Sequence, residues 1–212
     1  MLESHNTLDS TAYLFNNPNC TIRSCVDLVI WGSRIPDRAM KLMEMSPHLL
    51  NLTPTSFHLI FWPALDHHAM GNFPVFPSIE RLCLDGVEIN KFHHLDDLLV
   101  KFPNVRELRM QQCSMPKNAQ YTGSYPVLSL RLRSLEFARC ALDPLLRYFM
   151  RARVVPTSHL LIDPHPADEI AIIGEYFSMF GNVLQDIRIE SFYTVDEHDC
   201  LGAYNPTCQV KL

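Results

Sequence analysis

The sequence predicts an α/β fold of solenoid type: a curved parallel sheet with helices and loops on its convex side, built from about seven irregular repeats. Three observations carry that expectation. The phrase FPSIERLCLDGV at Phe76 returns as FPNVRELRMQQC at Phe102. Apolar anchors at offsets 0, 3 and 5 recur as Ile79, Leu82, Leu84, then Val105, Leu108, Met110, then Leu132, Leu135, Phe137. Between the copies lie segments whose apolar residues follow helical spacing.

The same spacing continues outward. Cys25, Leu28 and Ile30 stand near the start and Leu184, Ile187 and Ile189 near the end, while Ser56, Leu59, Phe61 and Thr157, Leu160, Ile162 each keep two apolar anchors. The middle anchors at 28, 59, 82, 108, 135, 160 and 187 give intervals of 31, 23, 26, 27, 25 and 27. Offsets 3 and 5 lie two apart, so on a strand they share a face and the residues between them point away. Each copy supplies one short strand with one side to bury, and copies stacked about 4.8 Å apart bury it jointly.

Parallel neighbours need crossovers. Asp37 to Leu50, Leu95 to Lys101, Asp143 to Arg153 and Ala167 to Phe180 read as helices. Asp143-Pro144 reads as a cap followed by a first-turn proline, and Gly181 as a stop. Met115 to Tyr125, with Pro, Gly and polar residues and no period, reads as a loop. The organisation is an N-terminal cap or remnant over 1–20, the solenoid over 21–192, and a tail or truncated repeat over 193–212.

The phrase LxxLxLxx(N/C) is the leucine-rich-repeat signature, with Cys113 and Cys140 in the Asn/Cys slot and Ser33, Ala64, Val87, His165 and Phe192 in that slot elsewhere. The chain resembles leucine-rich-repeat proteins, and more closely the basidiomycete F-box/leucine-rich-repeat-like proteins, through FNNPNCTIRSCVDLVIWG, FPSIERLCLDGVEINKFHHLDDLLVKFPNVRELRMQQC, LRLRSLEFARCALDPLLRYF and GNVLQDIRIESF. The resemblance covers residues 14 to 192. It implies an inward turn at the slot and a fungal protein-interaction module, the substrate-recognition part of a ubiquitin ligase receptor. An F-box would be a helical segment of about forty residues, and the twenty or so before the first anchor contain no such segment. The resemblance therefore implies either a fragment of such a receptor or a repeat protein that does not recruit a cullin-ligase adaptor.

A formal charge of −5 and a pI near 6.0 give no basic field for nucleic acid. The longest apolar runs fall short of the roughly 20 residues of a spanning helix, and the first twenty residues lack a secretory layout, so an intracellular protein, cytoplasmic or nuclear, is expected. Seven cysteines without a CxxC pair read as free thiols. No cofactor is expected. His67-His68 and His93-His94 lack the i, i+4 partner of a zinc helix and read as surface histidines, and no local signature selects a Cys-His nucleophile. An enzyme or metal-binding protein using His and Cys is the alternative reading; a non-catalytic module with a protein partner is the main one.

Partner contacts are sought at offsets 2, 4 and 6, between the anchors. The candidates are Val29, Trp31, His58, Ile60, Trp62, Arg81, Asp85, Arg109 and Gln111. Trp31 and Trp62 read as one offset on adjacent strands. They form either an exposed aromatic anchor of the kind that dominates interfaces or a patch capped by residues 1–15, including Tyr13, Leu14 and Phe15. Arg131, Arg133, Arg139, Arg147, Arg151 and Arg153 read either as a docking patch for an acidic peptide or as a solvated, ion-paired face.

Overall fold

The computed structural model describes residues 27–31, 53–62, 73–115, 131–163, 169–190 and 207–211. Eight strands form one sheet: β1 (Asp27–Trp31), β2 (Ser56–Ile60), β3 (Arg81–Asp85), β4 (Glu107–Gln111), β5 (Ser134–Ala138), β6 (His159–Asp163), β7 (Asp186–Glu190) and β8 (Thr207–Lys211). Their spatial order is their chain order, β1 to β7 run parallel, and the sheet is open. β8 pairs antiparallel with β7, whereas a further copy of the repeated unit would run parallel. Among the described residues three helices lie between strands: α1 (Phe92–Leu99), α2 (Leu142–Ala152) and α3 (Ile170–Phe180). The expected helix at 37–50 lies outside the described residues, as does nearly all of the expected loop at 115–125.

Register follows the anchors with one correction. Leu28, Phe57, Leu82, Leu108, Leu135, Leu160 and Ile187 are successive partners across the sheet. The middle anchor of β2 is therefore Phe57 and not Leu59, and the intervals become 29, 25, 26, 27, 25 and 27. The segment FHLIFW offers apolar residues at both registers. What separates them is the backbone just after each strand. Phe61, Gly86, Gln112 and Arg139 all adopt left-handed φ, at 50°, 63°, 51° and 55°. The N–H groups of Phe61, Gly86 and Gln112 donate to the carbonyls of Asp85, Gln111 and Ala138 on the next strand, at 2.6, 2.8 and 2.9 Å.

This left-handed residue ends the strand and turns the next side chain into the core, so Trp62, Val87, Cys113 and Cys140 are all buried at equivalent positions. The Cys113 thiol donates to the Leu84 carbonyl and the Cys140 thiol to the Met110 carbonyl, each at 3.4 Å. Val87 and the two cysteines lie where the sequence places the slot; in β2 the slot belongs to Trp62 and not to Ala64. Glycine alone adopts left-handed φ without steric cost. At Gly86 the space is also needed, because the Phe61 ring lies where a β-carbon would stand.

One face of the sheet and the apolar sides of the helices form a single core. The two halves of the repeated phrase meet there: Phe76 and Phe102 stack with centroids 5.8 Å apart, and both pack on Phe57 and Phe73. Each buried aromatic or leucine contributes about 1.5–3 kcal/mol, so these rows dominate stability. α2 begins one residue before Asp143, with Ala141 as its cap; Asp143 sits in the first turn, where its charge favours the helix dipole. The free N–H of Leu142 is satisfied instead by the Glu169 carboxylate at 2.7 Å. α1 and α2 are joined by Tyr148, whose hydroxyl donates to Asp96 and whose ring stacks on Phe92 at 5.4 Å. His94 is buried on α1 and not a surface residue, with its ring 4.3 Å from that of His93.

Candidate functional site

No described helix covers the other face of the sheet, which carries the residues between the anchors. From β1 to β5 these are mostly exposed or half-buried. At β6 the character changes, and Leu161 and Asp163 are buried. A groove of about 390 Å³ crosses β1 to β5 near the starts of the strands, its walls formed by Asp27, Ser56, His58, Arg81, Cys83, Glu107, Arg109, Ser134 and Glu136. Short side chains make it: Ser56 and Ser134 stand at either side of the longer Arg81 and Glu107 in one lateral row.

The groove is held by contacts within and between neighbouring strands. Arg109 pairs with Glu136 at 3.1 Å and donates to the Gln111 side-chain oxygen at 3.2 Å. His58 Nε2 lies 2.9 Å from Ser56 Oγ and 4.0 Å from Asp27 Oδ1. Arg81 makes no ion pair among the described residues. Further along, His159 Nδ1 lies 3.2 Å from Asp186 Oδ2. Asp85 and Asp186 each hold one buried carboxylate oxygen with no hydrogen-bond partner among the described residues.

Of the residues expected to meet a partner, the groove brings together His58, Arg81 and Arg109. Val29, Ile60, Asp85 and Gln111 lie on the same face outside it. Trp62 does not belong there: it is 2% exposed, because the left-handed Phe61 turns it into the core, and Phe61 itself is 50% exposed. The partner of Trp31 across the sheet is Ile60, so the two tryptophans are not equivalent neighbours. The Trp31 side chain and residues 1–15 lie outside the described residues. Ser56, read as an inward anchor, opens the groove at its second strand because β2 is shifted by two positions.

Cys83 faces His58 directly across the sheet. Burial pushes its thiol up, with Arg109 opposing in part, and a nucleophile needs the reverse. The neighbouring Cys140 thiol and burial both push the Cys113 thiol up. Among the described residues no three His, Cys, Asp or Glu side chains converge as a metal site, and no helix is long and apolar enough to cross a membrane. Arg147 pairs with Asp143 at 3.1 Å and with Glu175 at 3.4 Å on the exposed surface of α2, as an ion-paired helix face does. Compared with protein-family models, curated proteins and solved structures, the chain matches none.

Proposed function

We propose that this chain is a non-catalytic protein-interaction module of leucine-rich-repeat type, which meets its partner with the sheet face left open by the helices. The observation that carries the reading is the pairing of a regular apolar ladder on one face with a grooved, polar face on the other, since stacked units of this kind present extended binding surfaces. The repeat reading is supported by the left-handed residue followed by a buried residue at four successive units, with Cys113 and Cys140 in the slot. From the resemblance, the proposed role is substrate recognition for an F-box-type ubiquitin ligase receptor inside the cell.

The experiment is capture on the immobilised full chain, with bound proteins identified by mass spectrometry. Proteins retained by the parent and by Arg151→Glu on the helix side, but lost with Arg81→Glu plus Arg109→Glu, support the reading. An identical set on all three chains defeats it. Co-precipitation of a cullin adaptor tests the ligase role separately; its absence removes that role alone.

A further inference from the structure

The slot that follows each strand holds sulfur twice in succession. Cys113 and Cys140 each come after a left-handed residue, Gln112 at 51° and Arg139 at 55°, and each stands two residues beyond a pair in register, Gln111 and Ala138. Each thiol meets the carbonyl two residues before it, at 3.5 Å from Gln111 and 3.4 Å from Ala138, as well as the carbonyl of Leu84 or Met110 on the preceding strand. Leu84 and Met110 are themselves partners, so one arrangement is repeated one strand along. The two α-carbons therefore stand about 4.8 Å apart, within the roughly 4.4–6.8 Å that a disulfide spans. Trp62 and Val87, earlier in the same row, carry no thiol. Cys83, the other described cysteine, lines the groove on the opposite face of the sheet.

We propose that Cys113 and Cys140 form an oxidisable pair, which hydrogen peroxide joins into a disulfide that staples the β4 unit to the β5 unit. Both side chains are buried, at 5% and 2% exposure, which favours an oxidant little larger than water over a bulky one such as oxidised glutathione. The neighbouring Cys113 thiol draws the Cys140 thiol below its ordinary value against the opposing effect of burial, and the thiolate is the form that reacts. Its sulfur attacks one peroxide oxygen, the O–O bond breaks, and the hydroxide released takes up a proton to leave as water. The Cys113 sulfur then attacks the resulting sulfenic acid. The S–S bond forms, the S–O bond breaks, and the hydroxyl leaves with the Cys113 proton as a second water. Two thiols are oxidised and one peroxide is reduced. The staple closes the chain between residues 113 and 140 into a loop, which restricts the unfolded state. It also ties together the two strands that carry the Arg109–Glu136 ion pair.

The test treats the folded full chain, fully reduced beforehand, with hydrogen peroxide, quenches in acid, blocks remaining thiols with N-ethylmaleimide in urea, and maps tryptic peptides without reduction. Cleavage after Arg109, Lys117, Arg139 and Arg147 releases MQQCSMPK, residues 110–117, and CALDPLLR, residues 140–147. The expected product is these two peptides joined, lighter than their sum by two hydrogens, as the main cross-link of the folded chain. The same treatment in urea spreads cross-links over the seven cysteines. Urea denaturation of the oxidised chain shows a higher midpoint than the reduced chain. Cys113→Ser, whose hydroxyl can still meet the Leu84 carbonyl, loses both the cross-link and the midpoint shift, while Cys83→Ser keeps both. The parent chain alone decides the outcome if a variant fails to fold. Recovery of both thiols blocked by N-ethylmaleimide after peroxide, the same spread of cross-links in folded and unfolded chain, or a midpoint that does not rise overturns the proposal.

Discussion

On β4, Leu108 and Met110 are sealed in the core, while Glu107, Arg109 and Gln111 alternate with them on the open face. On β6 the alternation fails, because Leu161 and Asp163, which occupy the equivalents of Arg109 and Gln111, are buried as well. The contrast separates two jobs of one sheet. Through β5 a strand spends one side on stability and leaves the other at least partly to solvent, whereas on β6 both sides are committed to packing. The open region is therefore where substitutions should leave the fold unchanged.

The largest test of that division is Trp62→Ala. Sequence position makes Trp62 a face residue and the structure makes it core, so its loss should cost about 3–5 kcal/mol, measured by urea denaturation. A loss near zero would return it to the open face. Next comes Tyr148→Phe, which takes a donor from buried Asp96 between α1 and α2 and should cost about 1–3 kcal/mol in the same assay. Arg109→Ala, on the open face, should cost under about 1 kcal/mol; a thermal shift as large as that of Tyr148→Phe would show the face to be structural.

The smallest effect is confined to alkaline pH. The Tyr176 hydroxyl is buried without a hydrogen-bond partner among the described residues, and burial pushes its ionisation above the ordinary tyrosine value. A group raised in the folded state contributes stability that is fully present below its unfolded pKa, near 10, and is lost as pH rises beyond it. Tyr176→Phe should leave stability at neutral pH unchanged or slightly higher, and should flatten its decline above about pH 10. Parallel melting curves for the two chains across that range would contradict this burial effect.

Much of the sheet was legible because its inward residues are large and apolar at spacing two. β2 was not, since Phe57, Leu59 and Phe61 satisfy either register and only the backbone at Phe61 decides. That row of left-handed residues has no compositional signal: three of its four members are Phe, Gln and Arg, none of which favours the conformation. The charged rows of the face followed from the anchors once the strands were placed. The groove did not, because it depends on small Ser56 and Ser134 standing beside long Arg81 and Glu107.

The coincidence of spatial and chain order from β1 to β7 has an evolutionary consequence. A duplication running from one left-handed residue to the next, such as from Gly86 to Gln112, would insert a strand and its return segment while disturbing contacts only at a single seam. A chain of this kind can grow or shrink by whole units during descent, and each added unit lengthens the sheet without rerouting what was already there.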